Sequence, residues 1–170
     1  AVARIRERTG LDVETMWTDD GFVVRFPETD DPPDPELLVP DPDEVEPLVV
    51  GDGTRILAGA VVFAGTRFGR NCIVGDQACV RERCELGDDV VVGRGSLVEN
   101  DTTIGARTKI QANAYVSAYS TLEEDVFIAP CVVTTNDNFM GRTEKRHALR
   151  KGPTIRRGAR IGGGAVLLPG

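Results

Sequence analysis

The fold is decided by a stretch in the middle of the chain, residues 74–110, which reads VGDQACVRERCELGDDVVVGRGSLVENDTTIGARTKI. A large apolar residue recurs at every sixth position of this stretch, and the period extends in both directions. Its fourteen members are all aliphatic or Phe: Val50, Ile56, Val62, Phe68, Val74, Val80, Leu86, Val92, Val98, Ile104, Ile110, Val116, Leu122 and Ile128. A fixed period without exception indicates a repeat architecture.

From Ile56 onward a smaller residue stands two positions before each of these, from Thr54 to Val126, and it is always small or β-branched. A spacing of two places both residues on one side of an extended strand, so a large and a small side chain are predicted to point inward together. Glycine often follows the aliphatic residue, as at Gly69, Gly75 and Gly87, and glycine tolerates the positive φ of a sharp corner. Each unit is therefore predicted to be a short strand plus a turn, and the units must stack to bury a core.

The hexads VGDQAC, LGDDVV, VGRGSL and IGARTK resemble the hexapeptide repeat of the left-handed parallel β-helix acyltransferases. The resemblance covers residues 51–170 and implies the left hand and three strands per coil, which the spacing alone does not establish. The predicted fold class is all-β: a left-handed parallel β-helix over residues 50–170, with a short N-terminal appendage at residues 1–49. If three hexads make one coil, residues 18 apart stack at about 4.8 Å per coil.

The register fails after Thr134 and resumes at Ile155, Ile161 and Leu167, so we predict an inserted loop at residues 136–153. A long insertion in a solenoid usually maps to the working face. Residues 142–160, in the loop and the coil after it, carry one acid, Glu144, the only histidine of the chain, His147, and eight bases: Arg142, Lys145, Arg146, Arg150, Lys151, Arg156, Arg157 and Arg160. Such a cluster favours an anion site, suited to the phosphates of CoA. A solvated basic loop is the alternative.

Two further stretches, LEEDVFIAPCVVTTND at residues 122–137 and KGPTIRRGARIGGGAVLLPG at residues 151–170, resemble the sugar N-acetyltransferase branch of that family. Members of the branch acetylate amino groups on nucleotide-linked sugars, and their coils continue beyond the position matched by Gly170. The resemblance implies an acetyl-CoA-dependent homotrimer that needs no metal, with the acceptor bound between subunits beside the loop.

Matching positions carry the implied contacts over to this chain. The CoA contacts are expected at small and basic residues: Ala129, Lys151, Arg156, Arg157, Gly162, Gly163, Gly164 and Ala165. The amino-sugar contacts are expected in the loop, at Asn136, Asp137, Asn138, Arg142 and Arg146. A corner-turning role is the alternative for each glycine.

Two residues are candidates for the chemistry. Asn113 lies three positions after the inward Ile110, so we expect it to point outward, on the face that feeds the insertion and one coil below Asn136. The stretch KIQANAYVS resembles the one whose asparagine is implied to orient the acceptor amine, a positioning role that needs no base. His147, with Glu144 three residues away, is the alternative as a general base. A plain turn residue is the third possibility for Asn113.

Composition narrows the function class. The net charge is -7, with 14 acids and 4 bases in the first fifty residues and 13 acids and 16 bases in the rest. An acidic total argues against nucleic-acid binding. No apolar run approaches the roughly 18 residues of a membrane span, and no signal peptide is recognisable, so we expect a cytoplasmic protein without a membrane partner. The carbonic-anhydrase branch of the fold needs three histidines on zinc, which one histidine excludes. O-acetylation of a small alcohol and a non-catalytic scaffold remain as alternatives.

The first fifty residues have a different character. Seven prolines fall among dense acids at residues 27–47, which predicts an extended or disordered segment. Asp19, Asp20 and Gly21 predict a hairpin, and residues 1–9 a short helix ending at Gly10. The segments IRERTGLDV, DDGFVVRFPE and DPDEVEPLVV resemble part of the large helicase-related proteins. The phosphate-binding loop of a helicase is missing from the sequence, so we infer no helicase activity.

Overall fold

The computed structural model describes residues 10, 14–18, 21–25 and 45–170. The chain divides into two compact units, residues 1–45 and 46–170. In the first unit β1 (Glu14–Thr18) pairs antiparallel with β2 (Gly21–Arg25), and Thr18 stands opposite Gly21. The helix predicted at residues 1–9 and most of the proline-rich segment lie outside the described residues.

The second unit consists of short strands joined by corners. Over residues 46–170 it contains eighteen strands of two residues each: β3 (Val49–Val50), β4 (Arg55–Ile56), β5 (Val61–Val62), β6 (Arg67–Phe68), β7 (Ile73–Val74), β8 (Cys79–Val80), β9 (Glu85–Leu86), β10 (Val91–Val92), β11 (Leu97–Val98), β12 (Thr103–Ile104), β13 (Lys109–Ile110), β14 (Tyr115–Val116), β15 (Thr121–Leu122), β16 (Phe127–Ile128), β17 (Val133–Thr134), β18 (Thr154–Ile155), β19 (Arg160–Ile161) and β20 (Val166–Leu167). One helical turn, α1 (Arg146–Leu149), lies between β17 and β18.

These strands form three parallel sheets of six strands, one on each face of a solenoid. Face 1 contains β3, β6, β9, β12, β15 and β18. Face 2 contains every third strand from β4 to β19, and face 3 contains every third strand from β5 to β20. Strands 18 residues apart pair, so that Val74, Val92 and Ile110 stack in successive coils. The hexapeptide-repeat parallel β-helix predicted from the sequence is confirmed.

The core is a column of the predicted inward pairs. Val74, Val92 and Ile110 are fully buried, as are most of the sixth-position residues in the central coils. Burying one such side chain contributes about 1.5–3 kcal/mol. In the first coil the same position is open, because no coil of the described part lies beneath it: Ile56 is 42% exposed.

Hydroxyl side chains at the small inward position are hydrogen-bonded to the next coil. Thr108 Oγ1 donates to the Glu123 carbonyl at 2.9 Å and accepts the Val126 N–H at 3.2 Å. The Cys84 thiol donates in the same way to the Glu99 carbonyl at 3.1 Å. Burial raises the pKa of Cys84 to about 11. These polar groups enter the core because each one satisfies a backbone group at a corner.

The glycines after the aliphatic residue were predicted to provide a positive φ, and this reason was wrong. Positive φ occurs three positions after the aliphatic residue, for example at Gln77 and Asp89. Gly75 and Gly87 do not have positive φ; a Cβ at Gly87 would stand 2.7 Å from the Ala106 backbone nitrogen. Glycine is required there because the next coil passes directly over it.

Candidate functional site

The insertion leaves the solenoid at the corner between face 3 and face 1. The pairing offset on face 1 is 18 residues from Thr103 to Thr121, but 33 residues from Thr121 to Thr154. The difference of fifteen residues lies between β17 and β18. The coil above the loop therefore returns to the same three faces as the coils below it.

A buried hydroxyl cluster marks the point of departure. β17 keeps only one residue pair with β14, Tyr115 with Val133. At the next position Thr134 Oγ1 accepts the Ser117 N–H at 2.7 Å and lies 2.9 Å from Ser117 Oγ. A threonine occupies this inward position because its hydroxyl replaces the lost backbone bond. At the other end of the loop Gly152 is buried, and a Cβ there would stand 2.5 Å from the Ser120 nitrogen.

Asp137 organises the first half of the loop. Its Oδ1 accepts the Phe139 N–H at 2.7 Å, its Oδ2 accepts the Gly141 N–H at 3.1 Å, and Arg146 Nη1 lies 3.6 Å from Oδ2. The Phe139 N–H bond, followed by the Gly141 bond and the Arg146 charge, lowers the pKa of Asp137 despite its desolvation. The Nε atom of Arg146 is buried and has no hydrogen-bond partner among the described residues.

The base of the loop is closed by Asn136. Its side-chain amide donates to the Ala118 carbonyl at 3.4 Å, and its own carbonyl accepts the Lys151 N–H at 3.2 Å. Asn138 and Arg142, also predicted to contact the acceptor, are exposed. The structure thus brings Asn136, Asp137 and Arg146 into one hydrogen-bonded loop and leaves the other two at its surface.

His147 lies on α1 with Glu144 beside it. Its Nε2 is 3.5 Å from Glu144 Oε2, and the two side chains are 51% and 94% exposed. The pairing predicted between the two residues exists as a surface contact.

Asn113 lies at the corner between face 2 and face 3, with a φ of 57°. Its side chain is exposed, and its Oδ1 sits over Gly95 of the coil below. β14 separates this corner from the one that carries the insertion. Asn113 and His147 are therefore at opposite edges of face 3.

The predicted CoA residues divide among all three corners, and Lys151 lies at the one that carries the insertion. Ala129 and Gly162 stack at the corner between face 2 and face 3, where the Ala129 N–H donates to the Ile161 carbonyl at 3.0 Å. The Gly164 N–H donates to the Pro130 carbonyl at 3.1 Å. A Cβ at Gly162 or Gly164 would meet nothing within 4 Å, whereas one at Gly163 would stand 3.3 Å from the Pro130 oxygen. Gly162, Gly163, Gly164 and Ala165 occupy the same corner as Asn113, two coils above it.

Arg156 and Arg157 lie at the corner between face 1 and face 2. Arg156 Nη1 is 2.7 Å from Glu123 Oε1, and Arg157 Nη2 is 2.6 Å from Glu124 Oε2. The Arg157 N–H donates to Glu123 Oε2 at 2.8 Å, and this bond, with the Arg156 bond, lowers the pKa of Glu123. Two of the bases predicted to bind phosphate are thus already paired with acids of the coil below. Their exposure keeps these pairs weak.

The sequence analysis did not identify two surfaces of the solenoid. Both are formed by the outward residue that directly precedes each inward aliphatic residue. On face 3 this outward residue is apolar in all six strands: Val61, Cys79, Leu97, Tyr115, Val133 and Val166. On face 1 the outward residues are mostly polar, and near Thr103 and Thr121 they border a groove of about 340 Å³. A reading at every eighteenth position from Val61 to Val133 would have found the apolar stripe.

Two negative observations concern the described residues. They contain no group of histidine, cysteine, aspartate and glutamate side chains arranged to hold a metal ion. None of their helices is long and apolar enough to cross a membrane.

Comparison with known proteins gives partial matches. No family model matches the chain. Over 70 residues the chain is 43% identical to a Lhr helicase/probable uracil glycosylase of Mycolicibacterium smegmatis, a match that takes in 41% of this chain and 4% of that protein. The fold is similar to a mutant of perosamine N-acetyltransferase from Caulobacter crescentus, solved in complex with CoA and GDP-perosamine. That likeness has a TM-score of 0.22 at 12% identity and covers 69% of this chain and 52% of the other.

Proposed function

We propose that the chain is an acetyltransferase that transfers the acetyl group of acetyl-CoA to the amino group of a nucleotide-linked amino sugar. The observation that carries this proposal is the insertion. A strict solenoid is interrupted by a loop that its own hydrogen bonds, centred on Asp137 and Asn136, hold against the corner. A scaffold needs no such device, whereas a binding site benefits from polar side chains held on a rigid frame.

The reaction depends mainly on the alignment of the amine with the thioester. The amine nitrogen attacks the thioester carbonyl carbon, the C–N bond forms, the C–S bond breaks, and the amine proton leaves as the thiol of CoA is released. Holding the amine and the thioester together supplies much of the rate. Asn113 is proposed to orient the amine, with His147 as the competing candidate for a base. Asn136, Asp137, Asn138, Arg142 and Arg146 are proposed to contact the acceptor.

A homotrimer is proposed because the two candidate residues flank the apolar face. Asn113 lies at one edge of face 3 and the insertion at the other, so one subunit does not bring them together. The apolar outward stripe between them, from Val61 to Val166, suits an interface between copies of the chain. A neighbouring copy packed on face 3 would place its own residues beside either edge, and a closed ring covers the stripe in every copy.

CoA is proposed to lie along the corner of Ala129 and Gly162, where small residues admit the pantetheine arm. Lys151 is exposed and is proposed to contact its phosphates with Arg156 and Arg157. Because these two arginines are bound to Glu123 and Glu124, phosphate binding there requires them to exchange partners.

O-acetylation of a small alcohol is a second candidate, and the contact between His147 and Glu144 favours it. A hydroxyl must lose its proton as it attacks, which a histidine held by a carboxylate assists.

The test is mass spectrometry of the products formed from acetyl-CoA and a panel of nucleotide-linked amino sugars. Each amino sugar is paired with the matching sugar that has a hydroxyl group in place of the amine. We expect one acetyl group to be added to at least one amino sugar and none to its hydroxyl partner. Acetylation of the hydroxyl sugars would instead support the second candidate. Failure to acetylate any compound, together with no detectable CoA binding, would contradict the proposal.

A further inference from the structure

The groove on face 1 is the strongest unassigned feature of the described residues. Its volume is about 340 Å³, within the range of small-molecule sites. The residues that line it include Thr103, Gly105, Thr121, Glu123, Glu124 and Arg157. Thr121 also connects the groove to the insertion, because its N–H donates to the Pro153 carbonyl at 3.0 Å.

The groove forms where a column of glycines ends. At the position after the inward aliphatic, face 1 has Gly51, Gly69, Gly87 and Gly105, and then Glu123. Gly105 lies directly beneath the backbone of Glu123 and Glu124, and the side chain of Glu123 reaches to Arg156. Polar side chains of these two coils border the groove.

Several of these polar groups have capacity left for a ligand. The hydroxyls of Thr103 and Thr121 make no hydrogen bond within the described part of the chain, unlike the inward hydroxyl of Thr108. They stack in neighbouring coils, about 4.8 Å apart. The bonds from Arg107 and Arg157 to Glu124 both end on Oε2, so Oε1 remains available as an acceptor.

The charges of the groove select the ligand class. Hydrogen bonds from Arg157 and then Arg107 lower the pKa of Glu124, so its carboxylate is ionised at neutral pH and acts as a hydrogen-bond acceptor. The guanidinium of Arg157 opposes a free metal cation. A ligand with several hydroxyl groups suits both Glu124 and the threonines, because a hydroxyl can donate a hydrogen bond to the carboxylate and accept one from a threonine.

We propose that this groove holds the hydroxylated ring of a sugar, with Thr103, Thr121 and Glu124 as its contacts. The identification of this sugar as the amino-sugar acceptor rests on the proposed function. The match between the sugar hydroxyls and the groove does not depend on that function.

The test measures sugar binding without CoA, by titrating the whole chain with glucosamine, glucose and their nucleotide-linked forms in NMR and calorimetry. For the form that binds best, Thr121→Val and Glu124→Gln are each expected to weaken affinity about five- to tenfold, because each loses a hydrogen bond. The matched controls are Thr154→Val and Glu85→Gln, outward substitutions on the same face that do not line the groove. Thermal unfolding of all four variants verifies that they fold.

Binding that the two groove variants weaken and the two controls do not would support the groove, whether or not acetyl transfer is detected. Binding of none of the sugars, or binding that Thr121→Val and Glu124→Gln leave unchanged, would overturn it. If the wild type acetylates an amino sugar and Thr121→Val leaves the KM for that sugar unchanged, the groove is wrong while the proposed function stands. If sugars bind in the groove while no compound is acetylated and CoA does not bind, the proposed function fails and the groove stands.

Discussion

Glycines meet two different needs in this chain, and alanine substitutions separate them. A Cβ at Gly105 would stand 2.5 Å from the Glu124 nitrogen and 2.6 Å from the Glu123 carbonyl carbon, both backbone atoms of the next coil. Gly105→Ala is therefore expected to lower the free energy of unfolding by about 1–3 kcal/mol, as overpacking does. Gly162→Ala is the matched control, because a Cβ there meets nothing within 4 Å. Urea unfolding measures both, and equal stability of the two variants would contradict the close-approach explanation.

Gly162→Ala also tests the CoA corner. Because the new methyl group fits the free protein, weaker CoA binding by this variant would come from direct contact with the ligand. We expect the Kd for CoA to rise about tenfold while the unfolding curve stays unchanged. An unchanged Kd in calorimetry would remove Gly162 from the proposed site.

Among the structural elements, the inserted loop is held in its conformation by one carboxylate. Asp137 accepts two backbone N–H groups that close the first turn of the loop, and these bonds lower its pKa. A lowered pKa in the folded state means that the bonds contribute fully above the unfolded-state value, about 4, and are lost as the pH falls below it. We therefore expect the loop to loosen in acid, as Asp137 takes up a proton.

Asp137→Ala should reproduce that loosening at neutral pH. We expect faster hydrogen exchange at the Phe139 and Gly141 amides and faster proteolysis near Arg142, while the buried coils keep their protection. Glu144→Ala is the control, since this acid of the same loop is 94% exposed and accepts neither bond. Equal protection of the loop in wild type and Asp137→Ala would show that other contacts hold it.

At the scale of the whole molecule, the three faces differ in what they offer to a partner. Face 3 presents an apolar outward residue in every coil, and face 1 presents Arg67, Glu85, Thr103, Thr121 and Thr154 above a single Val49. An apolar stripe that runs the length of a solenoid marks an interaction surface. We therefore expect copies of the chain to associate through face 3.

Val133→Glu tests this association. The substitution places a charge in the fifth of the six strands of face 3, where burial without a partner is costly, so we expect the assembly to dissociate to monomers. Thr154→Glu places the same charge on face 1 and should leave the assembly intact. Light scattering gives the mass of each variant. A wild type that is monomeric at high protein concentration would contradict both the interface and the proposed trimer.

The sequence by itself determined the solenoid, because the period of six is a local property that every coil repeats. Each unit must bury one large and one small residue, so the inward positions from Phe68 to Ile128 could be assigned before any contact was known. The break after Thr134 was visible for the same reason, since an insertion shifts the register of everything after it. The polar character of the loop followed from its composition.

Only the tertiary structure decided which residues meet. Arg156 and Arg157 find Glu123 and Glu124 at separations of 33 residues, a distance set by the length of the insertion and not by the repeat. The structure likewise put Asn113 and His147 at opposite edges of face 3. It also gave the glycines after the aliphatic residues their role in close approach. Contacts between coils depend on how far the chain travels before it returns to a face, and a residue pattern within one coil does not contain that distance.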